Sequence, residues 1–494
     1  MAQAYDRLSA LFARLSDVEE ALGILHWDMA TTMPTGGAES RARQLATLKS
    51  LHHEMLTGPD MGALLDAAEG EGLDDWQWSN LREMRRDWVH AAAVPSRLVE
   101  ELSRAGSACE MAWRKARPAA DFQAVAPFLA EVLRLTREAA EVKSQALGVG
   151  LYDALLDQYE PGGRSAEIDA VFADLESFLP GFLAEVTARQ PAPPTGPQGP
   201  FAVDRQKALG LRMMEVLGFE FDHGRLDVSQ HPFCGGTPDD VRITTRYDEA
   251  DFMKSMMGVI HETGHALYER GLPKGWRGQP VGRARGMSIH ESQSLLMEMQ
   301  AARSAQFLSF AAPLAAETFG AAGQPGWDAD TFRALYLRVR PGFIRVDADE
   351  VTYPAHVILR YRLEKALIAG DMQVADIPAA WNEGFKALLG LDVPDDRLGC
   401  LQDIHWYDGA FGYFPTYTLG AMTAAQLFDA AKKAVPGLLD SIGQGDFAPL
   451  LGWLRANVHG QGSHLSASAL LTQATGRPLD AQVFKGHLRQ RYLG

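Results

Sequence analysis

The sequence predicts a mainly α-helical protein with one small β-sheet, placed beside the helix that carries its most informative motif. Three long segments, residues 5–29, 121–147 and 166–189, place apolar side chains at helical spacing and are rich in alanine, leucine, glutamate and arginine. Strand-like sequence is scarce. Its best candidate is residues 219–247, which end in the alternating, β-branched stretch VRITTRY. We find no βαβ alternation and no internal repeat.

Turn-forming residues divide the helical segments. Short stretches such as TTMPTGGAE interrupt the periodicity locally, but QPAPPTGPQGP at 190–200 is linker-like because its prolines and glycines cannot continue a helix. We predict a single domain with a helical N-terminal lobe at 1–190, a Pro/Gly-rich loop at 191–200 and a catalytic portion at 201–494. The stretch could equally be a long surface loop.

Composition and charge exclude several function classes. The chain has 494 residues, of which 46% are hydrophobic and 22% charged, and its net charge is −16. An acidic surface argues against nucleic acid or anionic membranes as partners. No apolar stretch approaches the roughly 18 residues of a membrane span, and the N-terminus lacks the apolar core of a signal peptide. Three cysteines without a CxxC pair favour a reducing cytoplasm over a disulfide framework.

The most informative motif is HETGH at 261–265. His261 and His265 are four residues apart on one helix face, so both imidazoles can reach one ion at the roughly 2 Å of a Zn–N bond. Glu262 lies about 100° around the helix, where it can act as a base for a metal-bound water. The motif therefore predicts a catalytic zinc site. The alternative is an ordinary helix with two buried histidines bonded to neighbours.

The sequence around this motif is typical of a complete helix. It should extend from Asp248 to Pro273, with Asp248 or Asp251 as the N-cap. Gly271 shortly before Pro273 is a typical stop signal. Gly264 would relieve crowding inside the motif.

A catalytic zinc usually has three protein ligands and one open position. The segment GMSIHESQSLLMEMQ should start a helix at Ser288, with Glu291 in the first turn, and Glu291 is our preferred third ligand. The alternative is an S-x-x-E capping box in which Glu291 bonds to the backbone. Spacing alone does not decide between the two. Glu298, Asp403 and His405 are the other candidate ligands.

Several boxes of the sequence occur together in a known family. In chain order they are HPF (231–233), DVRIT (240–244), HETGH (261–265), HESQ (290–293), IRVDAD (344–349) and GCLQDIHW (399–406), with WDMATTMPTGGAESRARQLATL (27–48) before them and GYFPTYTLG (412–420) after them. The sequence thereby resembles the carboxypeptidase Taq family of HExxH metallocarboxypeptidases over nearly the whole chain. HExxH alone is common, but six boxes in order are highly specific.

The resemblance implies a fold and an activity. It implies a large two-lobed helical peptidase fold with a deep substrate groove, and removal of C-terminal residues from peptides with broad side-chain tolerance and poor action next to proline. It implies one divalent metal ion per chain, Zn²⁺ first and Co²⁺ second, and a homodimer. It also implies that Glu291, the glutamate of the HESQ box, is the third metal ligand.

Peptide hydrolysis needs an activated water, a polarised carbonyl and a proton for the leaving amine. Glu262 is expected to take the proton of the water and return it to the amine. His405 and one of Tyr413 or Tyr417 are suited to donate to the tetrahedral oxyanion, since peptidases of this groove type commonly place a histidine and a tyrosine there. The alternatives are aromatic core packing for the tyrosines and a buried structural histidine for His405.

A carboxypeptidase must also recognise the free carboxylate at the chain end. Arg345 is the preferred residue because a guanidinium binds a carboxylate through paired hydrogen bonds. The alternative is a structural ion pair with Asp347 or Asp349. Arg242 is a possible second reader or a support of the site wall, and His231 could line the pocket or orient a ligand from behind.

Three further residues in or directly beside these boxes have expected roles. Asp403 should hold His405 in its working tautomer. Cys234 and Cys400 are expected to be small buried hydrophobes.

Other functions compete with this interpretation. A zinc endopeptidase or oligopeptidase of the same groove type would cleave peptides whose C-terminus is amidated. A non-catalytic zinc-stabilised scaffold would not need Glu262. A zinc aminopeptidase would need acidic residues that bind the substrate amine, for which we find no dedicated motif.

Overall fold

The computed structural model describes residues 3–494, which are mostly α-helical. The first eight helices are α1 (Ala4–Thr31), α2 (Ala38–Leu56), α3 (Met61–Glu69), α4 (Asp75–Ala92), α5 (Ser96–Ala119), α6 (Phe122–Leu147), α7 (Leu151–Leu156) and α8 (Ser165–Arg189). The next are α9 (Val203–Leu217), α10 (Phe252–Gly271), α11 (Gly286–Leu295), α12 (Ala305–Thr318), α13 (Ala329–Tyr336) and α14 (Tyr353–Ala369). The last are α15 (Ile377–Leu389), α16 (Pro415–Ala434), α17 (Leu438–Gly443), α18 (Ala448–Asn457), α19 (Ala467–Thr475) and α20 (Ala481–Leu493). The strands are β1 (Gly224–Val228), β2 (Cys234–Thr237) and β3 (Asp240–Thr245).

The prediction of a mainly α fold is confirmed. Helices α1, α6 and α8 coincide with the three segments predicted to be helical, with ends that differ by at most two residues. Their apolar stripes are buried, as period-3.6 patterning requires. Among the described residues, no helix is long and apolar enough to cross a membrane.

The predicted small sheet lies beside α10. Its strand order is β1-β3-β2, with β1 parallel and β2 antiparallel to the central strand β3. Successive side chains of a strand point to opposite faces. Val241 and Ile243 of β3 are therefore buried on one face, where they share a core with Val259 and Ala266 of α10. The sheet thus supports the back of the helix that carries HETGH.

The apolar core has more than one part. Leu8, Phe12, Leu65 and Met84, from α1, α3 and α4, belong to a small core of their own. Helices α5, α6 and α8 instead contribute to the main core, together with α10, α11, α14 and α16. Residues 190–202 connect α8 to α9 without helix or strand. The proposed lobe division at 191–200 stays a prediction.

Candidate active site

The sequence around HETGH folds as a capped helix, α10. The side chain of Asp251 accepts hydrogen bonds from the backbone N–H groups of Met253 and Lys254 at 3.1 and 3.3 Å, so Asp251 is the N-cap. This bond satisfies donors that the first helical turn leaves free. The helix ends at Gly271, as its stop signal predicted.

The prediction that the next helix starts at Ser288 is wrong. Helix α11 begins at Gly286, and the backbone N–H of Ser288 donates to the carboxylate of Glu160 at 3.1 Å. The carboxylate of Glu160, far away in sequence, therefore accepts the backbone hydrogen bond that a capping box would have given to Glu291. Glu291 lies in the second turn of α11, where its side chain points towards α10 and makes no capping-box bond.

Helices α10 and α11 bring two imidazoles and one carboxylate together. A ligand atom from each of His261, His265 and Glu291 lies within 4.8 Å of the others. Oε1 of Glu291 is 4.0 Å from Nε2 of His261, and Oε2 is 3.6 Å from Nε2 of His265. These separations suit atoms that share one ion at about 2 Å each, and two nitrogens with one oxygen form a donor set typical of catalytic zinc. The three residues fit a divalent metal.

Two glycines permit this close packing of helices. A Cβ at Gly264 would lie 2.6 Å from the carbonyl oxygen of Gln293 and 2.6 Å from the Cα of Ser294 in α11. A Cβ at Gly420 in α16 would lie 2.8 Å from the Cβ of Glu291. All three distances are too short for a Cβ atom, so both positions require glycine for close approach rather than for backbone conformation.

His261 is held from behind by a carboxylate. Its Nδ1 lies 3.0 Å from Oε2 of Glu298, while Oε1 of Glu298 accepts from Arg303 at 2.5 Å. A carboxylate partner fixes the proton on Nδ1 and leaves Nε2 free to bind an ion. Glu298, one of the alternative third ligands, therefore orients a candidate ligand instead.

His265 is held through a second histidine. Its Nδ1 lies 2.7 Å from Nδ1 of His290, and Nε2 of His290 lies 2.8 Å from Oε1 of Glu269. If Nε2 of His265 binds an ion, its Nδ1–H must donate to His290, whose Nε2–H then donates to Glu269. This chain fixes the tautomers of both rings.

Glu262 is close to this set but outside it. Its side chain is buried, and it is absent from the group of converging ligand atoms. Burial raises the pKa of Glu262 to about 7, and repulsion from Glu291 adds to the rise while His261 opposes it. A carboxylate with a raised pKa next to a metal site can accept and return a proton near neutral pH.

A histidine and two tyrosines form a second cluster. Nε2 of His405 lies 3.1 Å from the hydroxyl of Tyr417, and the rings of Tyr413 and Tyr417 are 5.2 Å apart. Burial lowers the pKa of His405 to about 3 and raises the pKa of Tyr417 to about 12. His405 is therefore neutral and Tyr417 keeps its proton across the working range, so both can donate hydrogen bonds. The ring of Tyr413 also packs against Tyr159, with centroids 5.1 Å apart.

Arg345 belongs to a buried charge network. Its Nε and NH2 donate to Oδ1 of Asp403 at 3.1 and 2.9 Å, and its guanidinium lies 4.4 Å from the ring centroid of Tyr417. Arg360 binds the other oxygen, Oδ2, of Asp403. The alternative considered for Arg345, a structural ion pair with Asp347 or Asp349, is not the pair that forms, because the carboxylate bound to Arg345 is that of Asp403.

Asp403 does not hold His405. Both of its oxygens are taken by Arg345 and Arg360, and within residues 3–494 Nδ1 of His405 has no hydrogen-bond partner. The expected role of Asp403 was therefore wrong. Two guanidiniums outcompete a neutral imidazole for one carboxylate because hydrogen bonds between charged groups are stronger.

The chain is similar to known proteins over its full length. It matches the family described as carboxypeptidase Taq (M32) metallopeptidase over residues 7–492. It is 40% identical to thermostable carboxypeptidase 1 of Thermus thermophilus, with 97% of each chain covered. It is 33% identical to carboxypeptidase 1 of Bacillus subtilis, over 98% of this chain and 96% of that one. Its fold matches metallocarboxypeptidase 1 of Trypanosoma cruzi with a TM-score of 0.97, at 41% identity and 99% coverage of both chains.

The chain belongs to the M32 carboxypeptidase family.

Membership of the M32 family confirms the resemblance inferred from the sequence boxes. It makes the protein a peptide hydrolase of the metallocarboxypeptidase type, with a divalent metal ion and with peptides as substrates. The helical fold is shared with the M32 carboxypeptidase from Deinococcus radiodurans, with a TM-score of 0.93 at 34% identity.

Two residues with predicted substrate roles, Arg242 and His231, make contacts with residues other than the three candidate ligands. Arg242 is on the sheet face opposite α10, where Asp240 pairs with it at 2.5 Å and Trp27 of α1 stacks on it at 4.3 Å. These contacts favour its role as a support of the site wall. His231 is exposed in the loop between β1 and β2, and its carbonyl accepts from Ser229 at 2.6 Å. Its role in substrate binding stays a prediction.

The cysteines differ in burial. Cys400 is buried, as expected, whereas Cys234 in the edge strand β2 is only partly buried. All three cysteines of the chain are free.

Sequence reasoning missed the residues that orient the histidines. The sequence boxes give His290 no role beyond its place in HESQ and do not identify Glu269 or Arg303. One signal was available for Glu269, because it lies four residues after His265 and therefore on the same face of α10. No local pattern points to Arg303.

Proposed function

We propose that this M32 enzyme is a zinc carboxypeptidase whose metal is held by His261, His265 and Glu291. The observation that carries the proposal is the convergence of their ligand atoms within 4.8 Å, with the Nδ1 of each histidine already engaged on the far side of the ring. Such anchoring leaves both Nε2 atoms pointing into the same space. A site built only for stability would not need a buried glutamate, Glu262, at its edge.

The chemistry divides between the ion and the side chains. When bound, a divalent metal lowers the pKa of a water and polarises the scissile carbonyl. Glu262 takes the proton from the attacking water and delivers it to the leaving amine. Tyr417 and His405 donate hydrogen bonds to the carbonyl oxygen as negative charge develops on it, and Tyr413 is the alternative donor. Burial keeps these donors in the required protonation states.

Arg345 is the proposed reader of the substrate carboxylate. Asp403 binds Nε and NH2 on one side of its guanidinium, which holds the group in one orientation and leaves NH1 for a substrate. Tyr417 contacts the same guanidinium, so the carboxylate reader and the proposed oxyanion donor are mutually fixed. Because Arg345 and Tyr417 are held next to each other, a substrate bound by its terminal carboxylate would present its last peptide bond for cleavage. Arg242 and His231 would take secondary roles in the groove wall.

Mass spectrometry of a peptide mixture tests the function directly. Peptides with free C-termini should lose one residue at a time, with broad tolerance of side chains and a pause next to proline. A chelator should stop the loss, and added zinc should restore it. Internal cleavage of amidated peptides at comparable rates would instead establish an endopeptidase.

Arg345→Ala tests the carboxylate reader. Hydrogen bonds to charged groups contribute about 1.5–3 kcal/mol, so kcat/KM on free-carboxylate peptides should fall roughly 10- to 150-fold relative to amidated peptides. The ratio of the kcat/KM values on the two substrates does not depend on how much of the variant folds. It therefore guards against damage from the loss of one of the two arginine partners of Asp403, which keeps Arg360. An unchanged ratio would remove Arg345 from this role, and Arg242→Ala would be tested next.

Metal identity, assembly and location are part of the same proposal. We propose zinc as the native ion, with cobalt as an active substitute, because two imidazoles and one carboxylate suit both metals. A homodimer follows from the family resemblance, and light scattering of the purified protein tests it. Three free cysteines are compatible with a cytoplasmic location, which fractionation of cells would establish.

A further inference from the structure

The glutamate that orients His261 lies on an unusual backbone turn. Directly after α11, residues Leu296–Ala301 form a π-helical turn, and Glu298 is its third residue. A π-turn is rare, and single π-turns within helices frequently mark functional sites. The position of Glu298, and through it the ring of His261, therefore depends on whatever holds this turn.

Arg491 of the C-terminal helix α20 holds the end of the turn. The helical backbone stops at Ala301, so the carbonyls of Met299 and Gln300 have no following turn to supply donors. The guanidinium of Arg491 donates to the carbonyl of Met299, and to that of Gln300 at 3.1 Å. One side chain thus satisfies two carbonyls that the turn leaves free.

A buried carboxylate fastens Arg491 in place. Glu350 is 1% exposed and accepts from Arg491 at 3.0 Å. It also binds the side chain of Gln300, in the π-turn itself, at 2.7 Å. His487 and Tyr492 of α20 lie 2.8 and 3.2 Å from the same carboxylate. Glu350 therefore links α20 to the turn in two ways. It binds the side chain of Gln300 directly, and it holds Arg491, which binds the backbone carbonyls.

We propose that Arg491 is a positioning residue for the metal site, acting from the last turn of the chain through the π-turn and Glu298 on His261. The proposal rests on the proposed ligand set. Loss of Arg491 leaves two carbonyls without donors and frees the turn to relax into ordinary helix. Glu298 then shifts, the ring of His261 loses its fixed orientation, and the ion escapes faster.

Zinc release from the loaded full-length protein into excess chromogenic chelator tests the proposal. Arg491→Met keeps the apolar stem and should release zinc about tenfold faster, the lower end of the effect expected when an outer partner of a ligand is lost. Arg491→Lys should recover part of the difference because one donor remains. Lys485→Ala is the matched control, since Lys485 is on the same helix but pairs with Asp174 of α8, away from the turn. Its release rate should equal that of the wild type.

A double-mutant comparison identifies the route. Adding Arg491→Met to Glu298→Gln should accelerate release little beyond Glu298→Gln alone, because both changes break the same chain of contacts. Additive effects, or equal acceleration by Lys485→Ala, would overturn the proposal in favour of general loosening of α20. An unchanged release rate in Arg491→Met would also overturn it. Zinc binding by His261→Ala distinguishes failure of this proposal from failure of the proposed function. If His261→Ala binds zinc as the wild type does, the proposed ligand set is wrong.

Discussion

The geometry of α10 directs Glu262, the proposed base, away from the two candidate ligands His261 and His265. Nε2 atoms of His261 and His265 converge on Glu291, whereas the carboxylate of Glu262 is turned about 100° from His261 around α10. The separation has a chemical purpose, because a carboxylate bound to the ion could not also move protons. Burial raises the pKa of Glu262 to about 7, which suits a base that must also return its proton.

Glu262→Gln is expected to keep the metal and lose turnover. The amide preserves shape and volume but cannot accept the proton, so kcat should fall by about 10²- to 10⁴-fold. Metal content by mass spectrometry and kcat on one free-carboxylate peptide should be measured on the same preparation. Loss of metal would show that Glu262 is a ligand, and near-normal kcat would remove it from the mechanism.

Site residues could be predicted where the determining geometry is local. The four-residue spacing of His261 and His265 fixes a shared face within one helix, so sequence was sufficient there. The partner of Arg345 was missed because Asp403 lies 58 residues away in the chain. The helix start at Ser288 was misplaced for the same reason, since Glu160 satisfies its N–H from another element.

At the scale of elements, the site is a contact between α10 and α11. The two helices approach so closely that the backbone of α11 lies where a side chain at Gly264 would be. A glycine inside a helix costs about 1 kcal/mol relative to alanine. Its presence in the motif is therefore explained by packing, and the spacing of the two helices sets the distance from His265 to Glu291.

Gly264→Ala should both destabilise the protein and weaken metal binding. The new Cβ must push back backbone atoms at 2.6 Å, and such overpacking costs typically 1–3 kcal/mol. Gly258→Ala is the control, because Gly258 lies on the same helix and a Cβ there would meet nothing within 4 Å. Thermal unfolding and zinc affinity of both variants check the prediction. If Gly264→Ala behaves like Gly258→Ala, close approach does not shape the site.

Elements were predictable to different degrees. Helices α1, α6 and α8 follow from periodicity because each buries apolar residues at helical spacing. The sheet was placed correctly by its alternating β-branched residues. The π-turn Leu296–Ala301 could not be predicted, since the side chains that bind it, Arg491 and Glu350, lie far along the chain. Long-range contacts of this kind leave no periodic signal.

At the scale of the whole molecule, several histidines are buried in neutral form. Burial lowers the pKa of His405 and of His459 to about 3, and lowers that of His356 well below its usual range. In the unfolded chain these groups titrate near 6.5. Below that pH the unfolded state therefore binds more protons than the folded state. The free energy of unfolding is highest above pH 6.5, and the contribution of these buried neutral histidines is lost as pH falls from 6.5 towards 3.

His459→Gln should make stability less sensitive to acid. In the wild type, Nε2 of His459 lies 3.1 Å from Oε1 of Gln293. The amide of the glutamine variant can keep this hydrogen bond but cannot take up a proton. Relative to the variant, the wild type should lose about 1.4 kcal/mol of unfolding free energy for each pH unit below 6.5. Urea unfolding of both proteins at pH 7.5, 6 and 5 measures the difference, and parallel curves would refute the burial argument.

Zinc affinity of paired glutamate variants tests the central claim, that α10 and α11 assemble one metal site from His261, His265 and Glu291. Competition with a chelating dye should give one zinc per chain for the wild type. Glu298→Gln should weaken binding by roughly 10- to 100-fold, as expected for the partner behind a ligand. Glu291→Gln should weaken it further, because a neutral amide replaces a charged ligand. Wild-type affinity in Glu291→Gln, or a larger loss in Glu298→Gln, would contradict the assignment of Glu291 as the third ligand.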